Sequence, residues 1–293
     1  MKNIIIIVAL LLIGTILSTV GFVNARLSEK KTQETLKRIE SVNSFLKEML
    51  VSTNPYQKGI HDIKMIDVLN NAAKKIDISF KNHPADKAEI YYILGETYFG
   101  LGDYDKALSS TKKSMEIRRQ ILGENHEKTL HSQHNLGLVY WALGNFKHAK
   151  SVYTDVIKKR RKTLGATHLN TLTSLNNLGL IYFSLGDRDK AEKAFFEVAE
   201  KKRAVLGMNN PETLTSYHNL GVVFSRQGKL KKAEETLRNA MEWREKVLGY
   251  DHPETLISKS KLAEIIMTRN RLAEAEKMFR DILKMQKKRM GKN

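Results

Sequence analysis

Cysteine is absent, which removes disulfide scaffolds, thiolate metal sites and thiol nucleophiles together and leaves the redox compartment open. Proline is scarce, with four in 293 residues. Two of them, Pro211 and Pro253, fall in recurring boundary segments. So few breaks, beside long runs of Leu, Ala, Glu, Lys and Arg, indicate an all-helical chain. Acidic residues are short as well: 32 Asp and Glu stand against 50 Lys and Arg, a formal net charge of +18. That balance favours anionic partners such as phospholipid, acidic polymers, nucleic acid or acidic protein segments, without choosing among them. No phosphate-cradling glycine loop and no nucleophile elbow occur. His126-Glu127 with His131 misses the zinc-protease helix spacing by one residue, and His131 with His134 has no carboxylate cluster beside it to complete a metal site. Neither an enzyme nor a cofactor or metal is expected.

What is present begins with an uncharged apolar run at residues 4–23, about the ~20 residues that cross a bilayer as a helix. Its length suits an uncleaved anchor. Lys2 before it and Val23-Asn24-Ala25 after it suit a secretory signal cleaved after Ala25. Arg26, Lys30 and Lys31 follow the run, so the positive-inside tendency mildly opposes export of the body. Residues 32–51 keep apolar side chains at helical spacing (Leu36, Ile39, Val42, Phe45, Leu46, Met49, Leu50), and a second amphipathic helix is expected from about Ile63 to Phe80. These frame an expected order of membrane segment or signal at 1–25, juxtamembrane helix and helical N-terminal cap at 26–82, and a repeat array at 83–293.

The array rests on one stretch, Leu94 to Ala107, which returns at Leu136, Leu178, Leu220 and Leu262 with a period of 42 residues and no insertion. A fixed period over most of a chain signals a solenoid. Of 17 glycines, 13 occupy three recurring positions, read as two loop stops and one close helix crossing per unit. At that crossing small residues are expected to pair: Gly137 with Ala149, Gly179 with Ala191, Gly221 with Ala233. Asp103, Asn145 and Asp187 are placed to cap each unit's second helix, and Lys229 and Arg271 break that rule.

The Leu-Gly, the aromatic three residues on and the small residue nine further resemble the tetratricopeptide repeat (TPR). The boundary Leu248-Gly249-Tyr250-Asp251-His252-Pro253-Glu254-Thr255-Leu256 is similar to the longer, 42-residue form of the kinesin light chain. The resemblance implies an all-α, right-handed α-solenoid of five helix pairs. Its first unit lacks Thr-Leu at the entry, and the fifth carries Ala263 in place of the crossing glycine. A second resemblance covers Phe45-Leu46-Lys47-Glu48-Met49-Leu50, Val68-Leu69-Asn70-Asn71-Ala72-Ala73 and the entry at Leu94-Gly95-Glu96-Thr97-Tyr98. These look like the segment between membrane helix and repeats in certain bacterial membrane-bound serine/threonine kinases, whose repeats lie outside the cytoplasmic membrane. No kinase motif precedes the apolar run here. The implied protein is a tethered interaction module with its repeats at the envelope, or a secreted one if the segment is cleaved.

In the repeat family, the first helices of the units line a groove for extended peptides. By resemblance its key position falls on Asn135, Asn177, Asn219 and Lys261, with His131, His134, Thr173, Asn176, Thr215 and His218 as neighbours. An amide both donates and accepts, so a ladder of asparagines suits a peptide backbone. The same amides could instead bridge adjacent helices and stiffen the stack. A second candidate is a basic rim at the ends of the second helices: Arg118, Arg119, Lys158, Lys159, Arg160, Arg161, Lys162, Lys201, Lys202, Arg203, Arg244, Lys246, Lys287, Lys288 and Arg289. Cations there complement the carbonyl end of a helix, and stacked at the repeat period they could face anionic lipid. Expected partners are therefore a protein or extended peptide, the membrane through the N-terminal helix, and anionic lipid; nucleic acid would require a cytoplasmic body.

Overall fold

A computed structural model describes residues 65–290, with the isolated helical positions Arg26, Glu29, Thr32, Gln33, Leu36, Glu40 and Phe45. The apolar run at 4–23 and most of the helix expected over 32–51 lie outside the described residues. Among the described residues no helix is long and apolar enough to cross a membrane, and no strand occurs.

The chain divides into two compact units, residues 1–94 and 95–293. In the first, the expected amphipathic helix forms as α1 (Met65–Ser79) and the next begins at Pro84. Leu69, Ala72, Ile76 and Phe80 are buried with Ala88 and Tyr91. Phe45 meets Phe80 edge to face at 5.3 Å, and Asp77 accepts from the Tyr91 hydroxyl at 2.9 Å while pairing with Lys87 at 2.8 Å.

The second unit holds the end of α2 (Pro84–Gly100) and α3 (Tyr104–Leu122), α4 (Glu127–Ala142), α5 (Phe146–Thr163), α6 (Leu169–Ser184), α7 (Arg188–Leu206), α8 (Pro211–Arg226), α9 (Leu230–Leu248), α10 (Pro253–Thr268) and α11 (Leu272–Met290). From α3 onward each helix packs on its sequence neighbours; the first helices of successive pairs also touch, α4 on α6 and α8 on α10. Leu130, Leu172 and Leu214, one period apart, are fully buried, as are Ala149, Ala191 and Ala233. Each such leucine stabilises the stack by roughly 2 kcal/mol relative to exposure.

Within a pair the chain reverses through a left-handed residue: Gly102, Gly144, Gly186 and Gly228 have φ between 71° and 79°. Asn270 takes the same place in the fifth pair with φ 62°, being the side chain best tolerated there after glycine. The N–H beyond each reversal bonds back five residues, as in Asn145 to Tyr140 O at 2.8 Å and Asp187 to Tyr182 O at 2.9 Å, which closes the first helix. Asp103, Asn145 and Asp187 cap the second helices as expected, accepting from the N–H groups of Lys106, His148 and Lys190. At the boundaries His126, His168 and His252 cap the first helices through Nδ1 at 3.1–3.3 Å, and Asn210 does so at 2.8 Å.

The crossing glycines differ in detail from expectation. A Cβ on Gly137 would lie 2.7 Å from the Tyr153 ring, one on Gly179 3.1 Å from Phe195 and one on Gly221 2.6 Å from Leu237. The glycine thus admits a large side chain one turn beyond the expected alanine partner.

Candidate functional site

The groove positions fall on the first helices α4, α6, α8 and α10, where the helical period turns each toward the same wall. Asn135, Asn177 and Asn219 are half-buried, and each is fixed by one amide N–H. Asn135 donates to Glu96 at 3.1 Å, Asn177 to the Tyr153 hydroxyl at 3.0 Å with His134 at 3.4 Å, and Asn219 to Asn176 at 3.4 Å. The helix-bridging alternative is therefore realised. Among the described residues no donor reaches the Oδ1 of Asn135, Asn177 or Asn219, so each keeps its acceptor open.

The other candidates divide. His134 and His218 are half-buried, bonded through Nδ1 to Ser174 at 3.0 Å and Ser258 at 3.1 Å. Burial, reinforced by Arg160, lowers the His134 pKa to about 3; burial, then Arg244 and Lys261, lowers that of His218 to about 4. Both are neutral hydrogen-bonding groups at neutral pH. His131 is exposed and 3.9 Å from Glu127. Thr173 turns its hydroxyl back to Leu169 O, and Thr215 donates to Pro211 O while accepting from Arg244 at 3.0 Å. Lys261 is tied to Glu264 at 2.5 Å on its own helix. Two recesses open along the wall. One of about 160 Å³ lies between Glu96, Phe99, Asn135 and Leu138. The other, about 490 Å³, lies among Thr173, Asn176, Thr215, Arg244, His252 and Glu254. Among the described residues no cluster of His, Asp and Glu could hold a metal.

The structure divides the basic rim into buried and surface members. Arg118, Arg160, Lys202 and Arg244, one period apart, are buried and leave no free charge at the surface. The Nη1 of Arg118 donates to Lys128 O at 3.0 Å and to Ser132 at 2.9 Å; Arg160 repeats this on Asn170 O and Ser174, and Arg244 on Glu254 O and Ser258. Arg160 also reaches Glu127 at 2.9 Å. Lys202 bonds Glu212 at 2.8 Å instead. Burial holds the Arg160 and Arg244 pKa values below the ordinary guanidinium range. Of the exposed and half-buried members, Arg119 pairs with Glu116, Lys159 with Asp155 and Glu124, Arg161 and Lys201 with Glu197, and Arg203 with Glu200. Lys246 lies over the Trp243 ring at 4.9 Å. Lys158, Lys162 and Lys287 are exposed; the side chains of Lys288 and Arg289 lie outside the described residues.

The residues that sequence reasoning missed are thus inter-repeat locks. Their signal was available: a cation at 118, 160, 202 and 244 followed fourteen residues later by Ser132, Ser174, Ser216 and Ser258.

The tetratricopeptide repeat profile matches residues 86–162, 171–242 and 212–288, and a second profile of the same description matches 134–205. Among solved structures, a putative kinesin light chain from Podosopora anserina with nearly identical TPR-like repeats is 25% identical, with a TM-score of 0.64 over 71% of this chain and 98% of that one. BtubC (BKLC) from P. vanneervenii is 16% identical, with a TM-score of 0.68 over 78% and 94%. Apo RapI is 17% identical, with a TM-score of 0.64 over 76% and 61%. The last two share the fold alone. A search of curated proteins returns no match.

Proposed function

We propose that this chain, which belongs to the tetratricopeptide repeat family, is a membrane-tethered interaction module holding an extended peptide, or a segment of a partner protein, along its groove. The fold is that of a protein–protein interaction scaffold. The observation that supports a peptide ligand is the amide ladder: three half-buried asparagines at the repeat period, each anchored by one donor bond and each with its carbonyl oxygen open. An extended backbone presents N–H groups to such acceptors whatever its side chains. Tethering rests on the apolar run at 4–23, and placement at the envelope on the resemblance to kinase-linked repeat segments. The rim reading has less support, because its most regular members are buried and most others are paired with carboxylates.

Panning a displayed random-peptide library against the full chain tests the reading. Selected peptides should bind at least tenfold more weakly to the N135A/N177A/N219A variant, since each lost hydrogen bond is worth about 1 kcal/mol. Circular dichroism checks that the variant keeps its helices. Equal binding to both proteins would sink the groove assignment.

A further inference from the structure

Besides Lys158, Lys162 and Lys287 at the expected rim, free positive charge gathers on the opposite edge of the stack. In the second, third and fourth pairs, where the first helix turns into the second, Lys147, Arg188, Arg226 and Lys231 are exposed. Among the described residues none of the four pairs with a carboxylate. The acids of this edge are mostly engaged: Asp103 with Lys106, Asp187 with Lys190 and Glu192 with Lys229, while Asp189 accepts from Gln227. Asp105 and Glu235 are exposed without such a partner among the described residues, so the cations outnumber them. Further lysines stand over aromatic rings at the ends of the first helices: Lys112 over Tyr140, Lys150 and Lys190 over Tyr182, and Lys232 over Phe224.

Apolar tips project between these charges. Leu101, Leu143 and Leu185 hold the same position in three successive units and are 51%, 38% and 43% exposed, with Trp141 beside them at 41%. Successive turns are spaced like packed helices, about 10 Å apart, so tips and cations form one row.

We propose that this turn edge is a contact surface for a bilayer carrying anionic phospholipid. The leucines and Trp141 enter the headgroup layer, and Lys147, Arg188, Arg226 and Lys231 take lipid phosphates. The apolar tips decide against a soluble polyanion: nucleic acid or an acidic peptide would pair with the cations but gain little from leucines between them. A membrane interface rewards both, because indole and leucyl side chains settle at the headgroup boundary while lysine and arginine reach its phosphates. Apolar side chains such as Val205 and Tyr250 are exposed at the boundary edge too, at 52% and 53%. There, however, Glu116, Glu197, Glu200 and Glu245 hold most of the neighbouring cations, and the exposed Lys158, Lys162 and Lys287 belong to two units that are not adjacent, so no continuous row of free cations runs beside the apolar tips.

The two tryptophans mark the two edges. Trp141 lies at the turn edge, and Trp243, under Lys246, lies near the boundary edge. Single-tryptophan full chains, Trp243→Phe and Trp141→Phe, would be reconstituted into phosphatidylcholine vesicles with and without phosphatidylglycerol, both with brominated acyl chains. No tryptophan precedes Trp141, so insertion of the apolar run at 4–23 does not itself register. The expected result is blue-shifted, bromine-quenched Trp141 emission only in the phosphatidylglycerol vesicles, with Trp243 unchanged. At about fivefold per cation near an anionic surface, K147E/R188E/R226E/K231E lowers the membrane-bound fraction of the edge roughly a hundredfold or more. Should that variant fail to fold, high salt applied to the unaltered edge must release the quenching. Trp141 left unquenched, quenching equal in pure phosphatidylcholine, or quenching of Trp243 instead would each overturn the proposal. So would a blue shift that soluble polyglutamate reproduces without lipid quenching.

Discussion

Arg160 and Arg161 are neighbours in one basic run, and the structure sets them opposite tasks. Arg160 is 1% exposed and ties three helices together: Nη1 to Asn170 O and Ser174 on α6, Nη2 to Glu127 on α4, from its own place on α5. Arg161 is exposed and reaches only Glu197, at 2.7 Å. Removing one partner of a buried ion pair costs about 3–5 kcal/mol. Arg160→Met should fall toward the lower end, about 2–4 kcal/mol, for two reasons. Ser174 keeps its bonds to Asn170 O and His134, Glu127 keeps the Asn170 amide, and methionine refills much of the space. Arg161→Met should cost no more than about 0.5 kcal/mol, the range of an exposed pair. Because stability in a repeat array is a sum of unit and nearest-neighbour terms, the Arg160 loss falls on the junction between the second and third units. Urea unfolding followed by circular dichroism reads the magnitude. Hydrogen exchange reads the location, with deprotection starting in α5 and α6. A double-mutant cycle with Ser174→Ala should return a coupling of about 1 kcal/mol. Equal losses for the two methionine variants, or a cycle that closes to zero, would refute the lock.

Acid should weaken the stack through His134 and His218. Both have folded pKa values below the ordinary 6.5, at about 3 and about 4, so their neutral forms stabilise the fold fully above 6.5 and progressively less as pH falls toward those values. At pH 5 each should cost roughly 2 kcal/mol, and urea midpoints measured from pH 7 to 5 should fall less steeply for His218→Gln than for the unaltered chain. Gly137→Ala places a methyl 2.7 Å from the Tyr153 ring. The overpacking, about 1–3 kcal/mol, should outweigh the helix-propensity gain of about 1 kcal/mol, and a thermal midpoint that rises would contradict this. Asn270→Gly should be neutral or slightly stabilising, whereas Asn270→Ala, forced to φ 62°, should cost about 1 kcal/mol, as read by the same melts.

The helix pairs were legible because their determinants are local and repeat: the period, the glycines at the reversals, the capping Asp103, Asn145 and Asp187. His252 was legible as part of a repeat boundary, though neither it nor His126 and His168 was legible as a cap, since histidine is outside the usual capping set. The locks were opaque for a different reason. A cation near the end of a helix has a sufficient local explanation in the helix dipole, and nothing local separates Arg160 from Arg161. What separates them is the next unit, whose first helix brings Asn170 O and Ser174 against one and leaves the other in water. The asparagine ladder was half legible for the same reason, because partners such as Glu96 and Tyr153 come from neighbouring helices.

The exceptions to the capping rule carry information of this kind. Lys229, which makes no side-chain cap bond, pairs with Glu192 of the preceding unit at 2.7 Å, and Arg271 pairs with Glu234. One interface earlier the signs are reversed. Asp187 keeps its cap, and Lys190 first, then Lys150, hold its carboxyl below the ordinary value. The same two repeat positions therefore read Lys150 with Asp187, Glu192 with Lys229, and Glu234 with Arg271. Exposed contacts such as the first two contribute at most about 1 kcal/mol each, too little to account for the stability of the array; Glu234 is buried. Their sign pattern does more. Placing the fourth unit directly after the second would set Lys229 against Lys150, and like charges at that contact would be disfavoured. A contact whose polarity changes along the chain therefore disfavours an exchange of places between similar units, and the fourth unit's second helix, whose Lys229 makes no side-chain cap bond, carries that contact in place of a cap.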